Sequence, residues 1–403
     1  MQSATRADFE RYQTDVLFLL IGTNPLPNYV AARLLAKHNG LVYLLHTPGR
    51  KGTAEVANRL KRKLDQARPD LTIIPRDTDE VDGDLISAKI TEIIQTIPST
   101  VESVGLNYSG GTKPMAVHTY HKLSATFPNS CFSYLDARSL RMVINRRDEP
   151  TQKLPVGQTV ELGLEELLEL HGYRLSVSPP RDTPRQPALC RAIVQAHLAP
   201  GGLQQWRDWT QTLCDPAATL PTANQYPALA PAIQAFADLG NGSPSEAAVA
   251  SALGPETLQS CSKFFVSGWL EEYTFEALRQ CATSRGIKHL GVSLEPRKPG
   301  ARNFELDVAA MDGYQLFAIS CMVTDVPKIA KGHLFEVFVR ARQLGGDEAR
   351  LSLVSFVKNP TPLQREIEQD WDAEDKIRVF GAQHIQDLTA HLQNWFETAN
   401  KEA

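Results

Sequence analysis

Leu106-Asn107-Tyr108-Ser109-Gly110-Gly111-Thr112-Lys113-Pro114-Met115 links a strand-like run to the start of a helix. Adjacent glycines let a backbone come close to a ligand and reach conformations closed to other residues. Pro114 suits the first helical position, where its missing N–H costs nothing. Free N–H groups and the positive end of the helix dipole then converge on one spot, which suits a phosphate. Lys113 adds a charge there, and Ser109 and Thr112 add hydroxyls. The stretch is not a Walker A loop. Gly105 and Gly110 have that motif's spacing, but Gly111 stands where its lysine belongs, and Lys113 comes too late. A glycine pair alone also suits a plain surface turn. Strand, lysine and helix start together favour a cradle for a polyphosphate or oligonucleotide, without P-loop hydrolysis.

The flanking sequence reads as strands alternating with helices. The apolar run Asp15 to Ile21 suits a strand covered on both faces. Further strands are expected at Leu41–His46, Leu71–Pro75, Ser103–Tyr108, Cys131–Leu135 and Arg141–Asn145. Helical spacing runs from Asn28, over Thr53–Leu64 and Ile86–Ile97, and from Pro114 to about Ala125. The pattern is that of an α/β fold with a parallel, doubly wound sheet. Ligands of such sheets sit beyond the carboxyl ends of the strands. Ser109 to Lys113 lies at that edge, and so does the turn Gly22-Thr23-Asn24-Pro25-Leu26-Pro27.

The whole chain has 403 residues, enough for about two or three domains. A hydrophobic fraction of 42% and a charged fraction of 22% are those of ordinary globular protein. A net charge of -4 gives no global attraction to nucleic acid, so any such binding needs a local basic patch. The 6 cysteines form no C-x-x-C pair, which argues against structural zinc and a disulfide framework and fits a reducing cytoplasm. His118 and His121 share one expected helix, but no further ligand cluster accompanies them. Met1 to Glu10 lacks the apolar segment of a secretory signal, and no apolar run approaches bilayer length. A cytoplasmic protein without a membrane partner is expected.

Residues 151–265 read as a connector. Leu164, Leu167, Leu168 and His171 mark a short helix stopped by Gly172, and Ser176 to Gln186 is a proline-rich linker. Pro187 to Phe265 is helical and Ala-rich, with Ser243-Pro244-Ser245-Glu246 as an expected capping box. A small helical or winged-helix module follows. It lacks the basic cluster of a DNA reader, which favours a structural role.

Residues 266–403 restart a mixed pattern. Helices are expected at Gly268–Cys281, Lys331–Leu344 and Ile385–Thr398, and strands at Leu290–Leu294, Leu351–Val357 and Ile377–Phe380. Asn303–Ala310 and Tyr314–Val323 suit a hairpin about Met311-Asp312-Gly313. Glu305 and Asp307 alternate with Phe304, Leu306 and Val308, so both carboxylates fall on one face. They repel each other and call for a cation. Mg²⁺ is typically held by one or two carboxylates with substrate phosphates. Glu271 or Glu272 would bring another carboxylate from the preceding helix. An edge hairpin with one solvated face gives the same alternation.

In these motifs the chain resembles the CRISPR-associated effectors that join an N-terminal CARF domain, a Rossmann-like fold, to a C-terminal PD-(D/E)xK-type nuclease. The Card1/Can2 group is the most similar. Asn107 to Met115 resembles the CARF Gly-Gly-Thr-Lys loop, and Gly22 to Pro27 the second ligand loop. Gly268 to Tyr273, Glu305-Leu306-Asp307 and Ile319 to Met322 resemble the nuclease in order and spacing. The resemblance implies a Rossmann-like CARF domain at 1–150, the connector at 151–265, and a restriction-endonuclease-like α/β domain at 266–403. It implies a homodimer that binds a cyclic oligoadenylate, cA4 in preference to cA6. Gly22, Thr23, Asn24, Pro25, Asn107, Ser109, Gly110, Gly111, Thr112 and Lys113 would form the ligand site. Glu271, Glu305 and Asp307 would hold Mg²⁺ or Mn²⁺ and cut DNA, RNA or both, in type III CRISPR antiviral defence.

One position departs from that pattern. Where the family carries an acidic residue, any residue, then lysine, this chain reads Ser320-Cys321-Met322. The lysine positions water and offsets transition-state charge, and a thioether does neither. With Met322 at that catalytic position, either cutting is weakened or lost, or Lys328 or Lys331 takes over. The alternatives are a non-catalytic cyclic-oligoadenylate sensor and a ligand-responsive regulator acting through the middle segment.

Overall fold

The computed structural model describes residues 5–300 and 303–400. Its first sheet is built on β1 (Thr14–Leu20), flanked by β2 (Ala36–His46) and β3 (Thr72–Asp77) on one side. On the other lie β4 (Val104–Asn107), β5 (Cys131–Asp136), β6 (Arg141–Arg146) and β7 (Gln152–Pro155). The order is β3-β2-β1-β4-β5-β6-β7, parallel through β5 and antiparallel beyond. Leu17 and Leu19 face one apolar layer and Val16, Phe18 and Leu20 the other, which explains the uninterrupted apolar run. A short α1 (Arg6–Glu10), α2 (Leu26–Leu35) and α3 (Ala54–Ala67) belong to the first layer, α4 (Gly83–Thr96) and α5 (Lys113–Thr126) to the second. Strand order reverses between β1 and β4, so the loops after them flank the switch point. The sheet reaches Pro155, past the expected limit at 150.

The layer under α2 and α3 does not end with the sheet. α6 (Leu164–Leu170) inserts Leu167 and Leu168 into it, and it continues to Ala309, Leu316, Leu334 and Phe338. One apolar core therefore joins the first sheet to the second. After β8 (Arg174–Leu175) come α7 (Pro187–Leu198), α8 (Gly202–Thr212), α9 (Ala230–Leu239) and α10 (Glu246–Leu253). No strand lies among the described residues between Pro187 and Gly268, so the module is helical and has no wing. Its Trp206, Trp209 and Phe236 share a core with Trp269, Phe275, Val308 and Phe317, so it packs as an outer layer of the second sheet. The cap of α10 also differs from expectation. Ser245, in extended backbone, accepts the Ala248 N–H at 3.3 Å, which leaves Pro244 before the cap and not inside the helix.

The second half runs α11 (Trp269–Arg285), β9 (His289–Leu294), β10 (Pro296–Arg297), β11 (Leu306–Asp312), β12 (Gln315–Met322) and α12 (Pro327–Gly345). It ends with β13 (Arg350–Ser355), α13 (Pro360–Asp370), β14 (Ile377–Phe380), α14 (Ala382–Ile385) and α15 (Leu388–Thr398). Sheet order is β14-β13-β12-β11-β9, with β12, β13 and β14 parallel and β11 antiparallel to both neighbours. α11 covers one face and α12 the other. The β11–β12 hairpin turns on Gly313 and Tyr314, with Gly313 at φ +64° and Asp312 opposite Gln315. Among the described residues no helix is long and apolar enough to cross a membrane.

Candidate functional site

Thr112 caps α5: its hydroxyl accepts the Met115 N–H at 3.3 Å and donates to the Glu80 carbonyl at 2.6 Å. Such a cap is worth about 1 kcal/mol. Space dictates both glycines before it. A Cβ on Gly110 would stand 2.3 Å from the Leu20 carbonyl oxygen, and one on Gly111, at φ +74°, 2.8 Å from Leu20 Cβ. Gly22 closes the contact from the other loop, since its Cβ would lie 3.2 Å from the Gly111 nitrogen. The two loops thus meet glycine to glycine at the switch point. Thr23 and Lys113 are exposed there, and Gly22, Ser109, Gly110, Gly111 and Thr112 are partly so.

Three expected ligand contacts are placed otherwise. Asn107 is wholly buried; its amide donates to Ser133 Oγ at 3.0 Å and accepts the Ser109 N–H at 3.2 Å, so it shapes the loop from beneath. Pro25 is buried at the start of α2. Asn24 turns inward. Its Oδ1 accepts the Leu26 N–H at 3.0 Å and lies 3.3 Å from His171 Nε2, while its amide nitrogen packs on Gly346 after α12. His171 Nδ1 is 3.0 Å from the Leu167 carbonyl. Burial holds this ring's pKa down to about 4, and a neutral ring donates to only one of its two oxygen neighbours. Sequence reasoning missed Asn28, whose Nδ2 donates to the Leu20 carbonyl at 2.8 Å directly under Gly110. Ser109 also does structural work, accepting the Leu135 N–H at 2.7 Å.

The second constellation gathers at the start of β11. Glu271, in the first turn of α11, is buried and accepts the Ser293 hydroxyl at 2.7 Å. Burial, then the charge of Asp307, pushes its pKa up to about 8. Asp307 accepts the Cys321 N–H at 2.7 Å and the Ser320 hydroxyl at 3.2 Å. Burial pushes its pKa up to about 6, against the Cys321 hydrogen bond and with the repulsion of Glu305. Glu305 stands one residue before the strand, and its charge still reaches Asp307 and Glu271. Glu272 turns away from the cluster to Arg181, and accepts the Arg185 N–H at 2.8 Å. It ties the linker down, and Glu271 alone serves the site.

A cleft of about 600 Å³ opens beside Glu271, lined by Glu271, Ser293 and Lys263 among others. The hard oxygen donors of Glu271 and Asp307, on carboxyls that burial disfavours as anions, suit Mg²⁺ or Mn²⁺. Among the described residues no three acidic, histidine or cysteine side chains converge as a ready-made metal site. A two-carboxylate site completed by water and substrate phosphate fits what is there. Met322 packs against the core under α12. Lys331 is held by Glu366 at 2.6 Å and Asp370 at 2.8 Å, and Lys328 is exposed on the first turn of α12. The lysine at the cluster is Lys263, which sequence reasoning missed: its Nζ is 3.2 Å from Glu305 Oε1.

Comparison with known proteins follows this division. The chain is similar to Can2 from Sulfobacillus thermosulfidooxidans, solved with cyclic tetra-adenylate (cA4), at 19% identity and a TM-score of 0.68 over 97% of this chain and 99% of that one. It is also similar to protein VC1899 from Vibrio cholerae, at 17% identity and a TM-score of 0.70 over 95% and 98%. No curated protein matches. Residues 259–399 match the model of the Card1-like endonuclease domain.

Proposed function

We propose that this chain is a cyclic-oligoadenylate-activated, metal-dependent nuclease that works as a homodimer on DNA, RNA or both. The observation that carries the reading is the buried Glu271 and Asp307, with the charge of Glu305 acting on both, beside an open cleft in a stretch that matches a Card1-like endonuclease domain. Asp307 with Glu305 or Glu271 would hold the divalent ion, which supplies Lewis-acid charge to a phosphate oxygen when bound. Ser320 and the Cys321 N–H orient Asp307, and Ser293 orients Glu271. Lys263 brings an ammonium to the cleft side of the cluster. It offers phosphate the hydrogen bonds that Met322 cannot.

The similarity to Can2, solved with cA4, supports a cyclic oligoadenylate as activator. The meeting of Gly22, Gly110 and Gly111 beside Lys113 supports the loop as its cradle. Asn24 touches α6 and the turn after α12, which offers a route from ligand loop to nuclease sheet. A second reading, a sensor that binds without cutting, is favoured by Met322 alone, which packs half-buried against the core where a lysine is expected. A nicking assay with Mn²⁺, with and without cA4 and cA6, separates the two. Ligand-dependent cutting lost in Asp307→Ala supports the nuclease. Ligand binding without cutting supports the sensor.

A further inference from the structure

β8 and β10 form a two-stranded antiparallel ribbon in which Arg174 stands directly opposite Arg297. Side chains directly opposite in such a pair share a face and lie close, and like charges there are unfavourable. Arg297 has Glu295 at 3.0 Å to offset it. Arg174 is exposed and has no acidic partner among the described residues.

The ribbon divides two depressions. On one side Leu175, Ser176 and Glu295 line the cleft that holds Glu271 and Lys263. On the other, Tyr173, Arg174 and Lys298 line a groove of about 890 Å³. Its far wall is α3, which presents Arg59, Arg62 and Lys63, and Arg297 borders both depressions. Part of this charge has a structural task. Arg59 donates to the Leu170 carbonyl at 3.0 Å, Lys298 to the His171 carbonyl at 3.1 Å, and Lys63 pairs with Glu169. These three secure the end of α6. Arg62 and Arg174 have no such task. Glu55 and Glu169 also line the groove, beside Arg59 and Lys63, but they are outnumbered by its six lysines and arginines and the groove remains electropositive. In a chain whose net charge is -4, such a concentration is local and calls for a polyanion.

We propose that Arg62, Arg174 and Arg297 grip the phosphodiester backbone of a nucleic-acid strand and lead it from this groove over the ribbon into the carboxylate cleft. The proposal rests on the nuclease reading and adds the path of its substrate. Tyr173 is nearly buried beneath Lys298 and offers no stacking platform, so the grip reads charge and not sequence.

The test measures binding of fluorescent single-stranded DNA and RNA oligonucleotides in EDTA, so that nothing is cut, across a salt series. R62E/R174E reverses the two unpaired arginines. K153E/R279E makes the same charge change at exposed residues outside the groove, and R62K/R174K keeps the charge. The groove reversal should weaken binding roughly tenfold or more and flatten the salt dependence by about 0.7 per lost phosphate contact. The control reversal and the lysine pair should stay near the parent. DNA and RNA held alike indicate backbone recognition, and a groove reversal no weaker than the control overturns the proposal. Cutting with Mn²⁺ and cA4 is run beside it. A parent that cuts, with a groove variant that binds and cuts equally well, removes the groove and leaves the nuclease. A parent that neither binds nor cuts removes both.

Discussion

Lys263 Nζ lies 3.2 Å from Glu305 Oε1, although the two residues are 42 positions apart in sequence. Burial acts to lower the pKa of this lysine, but the charge and hydrogen bond of Glu305, with the charges of Glu271 and Glu295, together outweigh it and leave the pKa raised. The ammonium is therefore present throughout the neutral range. If it replaces the lysine missing at Met322, Lys263→Ala should lower ligand-dependent cutting by about 10²-fold, the cost of one lost electrostatic donor. Met322→Lys should restore part of that loss in the double variant. Cutting by Lys263→Ala at the parent rate would exclude the role.

The raised carboxyl pKa values fix a pH dependence. Unfolded, Asp307 and Glu271 ionise near 3.8 and 4.5; folded, they do so near about 6 and about 8. The folded chain holds more protons across that interval, so metal-free stability falls as pH rises through it and levels off above about 8. Thermal unfolding in EDTA should show this slope, and Glu271→Gln with Asp307→Asn should flatten it. Added Mn²⁺ should stabilise the parent more as pH rises, since the ion displaces those protons. A slope unchanged in the double variant would place its origin elsewhere.

The sequence made most of both sheets legible, because Val16 to Leu20 and Leu316 to Ile319 are covered on both faces and carry unbroken apolar runs. The backbone of the loop before α5 was legible too, since Gly110, Gly111 and Thr112 each answer a local demand, although Pro114 stands second in the helix and not first. Glu271 and Asp307 lie close enough for the charge of one to act on the other. What stayed hidden depends on contacts distant in sequence. Nothing local to Asn107 tells that Ser133 takes its amide, and nothing local to Asn24 tells that it faces His171. The two-residue pairing of β8 with β10 is too short to leave a period, so the Arg174–Arg297 pair has no sequence signature.

In the cradle, charge and space should separate. Lys113 is exposed, so Lys113→Ala should leave thermal stability unchanged and weaken cA4 binding by about 1.5–3 kcal/mol, the worth of a hydrogen bond to a charged group. Gly110→Ala meets the Leu20 carbonyl oxygen at 2.3 Å and must shift the loop, losing stability and affinity together. Calorimetry and thermal melting of both variants test this. Equal affinity for parent and Lys113→Ala would remove the lysine from the site.

Asn24 should matter for transmission more than for affinity. Its oxygen serves Leu26 and faces His171, and its nitrogen packs on Gly346. Asn24→Ala should therefore retain most cA4 affinity while losing much of the ligand stimulation of cutting. A parallel loss of both would make it a ligand contact after all.

The proposed dimer can be tested at the same loop. Lys113 and Val117 are separated by one turn of α5 and so lie on one face. Val117 is 63% exposed, and beside it Val81 and Leu85 at the start of α4 are 69% and 57% exposed. α4 is pressed against α5 there, since a Cβ on Gly83 would lie 2.2 Å from the His118 ring. A two-fold axis through this face would bury the three apolar side chains and bring both Lys113 loops towards one symmetric ligand. Val117→Asp should therefore give a monomer by light scattering and lower cA4 affinity, although Val117 itself need not touch the ligand. Leu198→Asp, an exposed apolar residue on α7, is the control and should change neither. A dimer that survives Val117→Asp with full affinity would put the interface on another face.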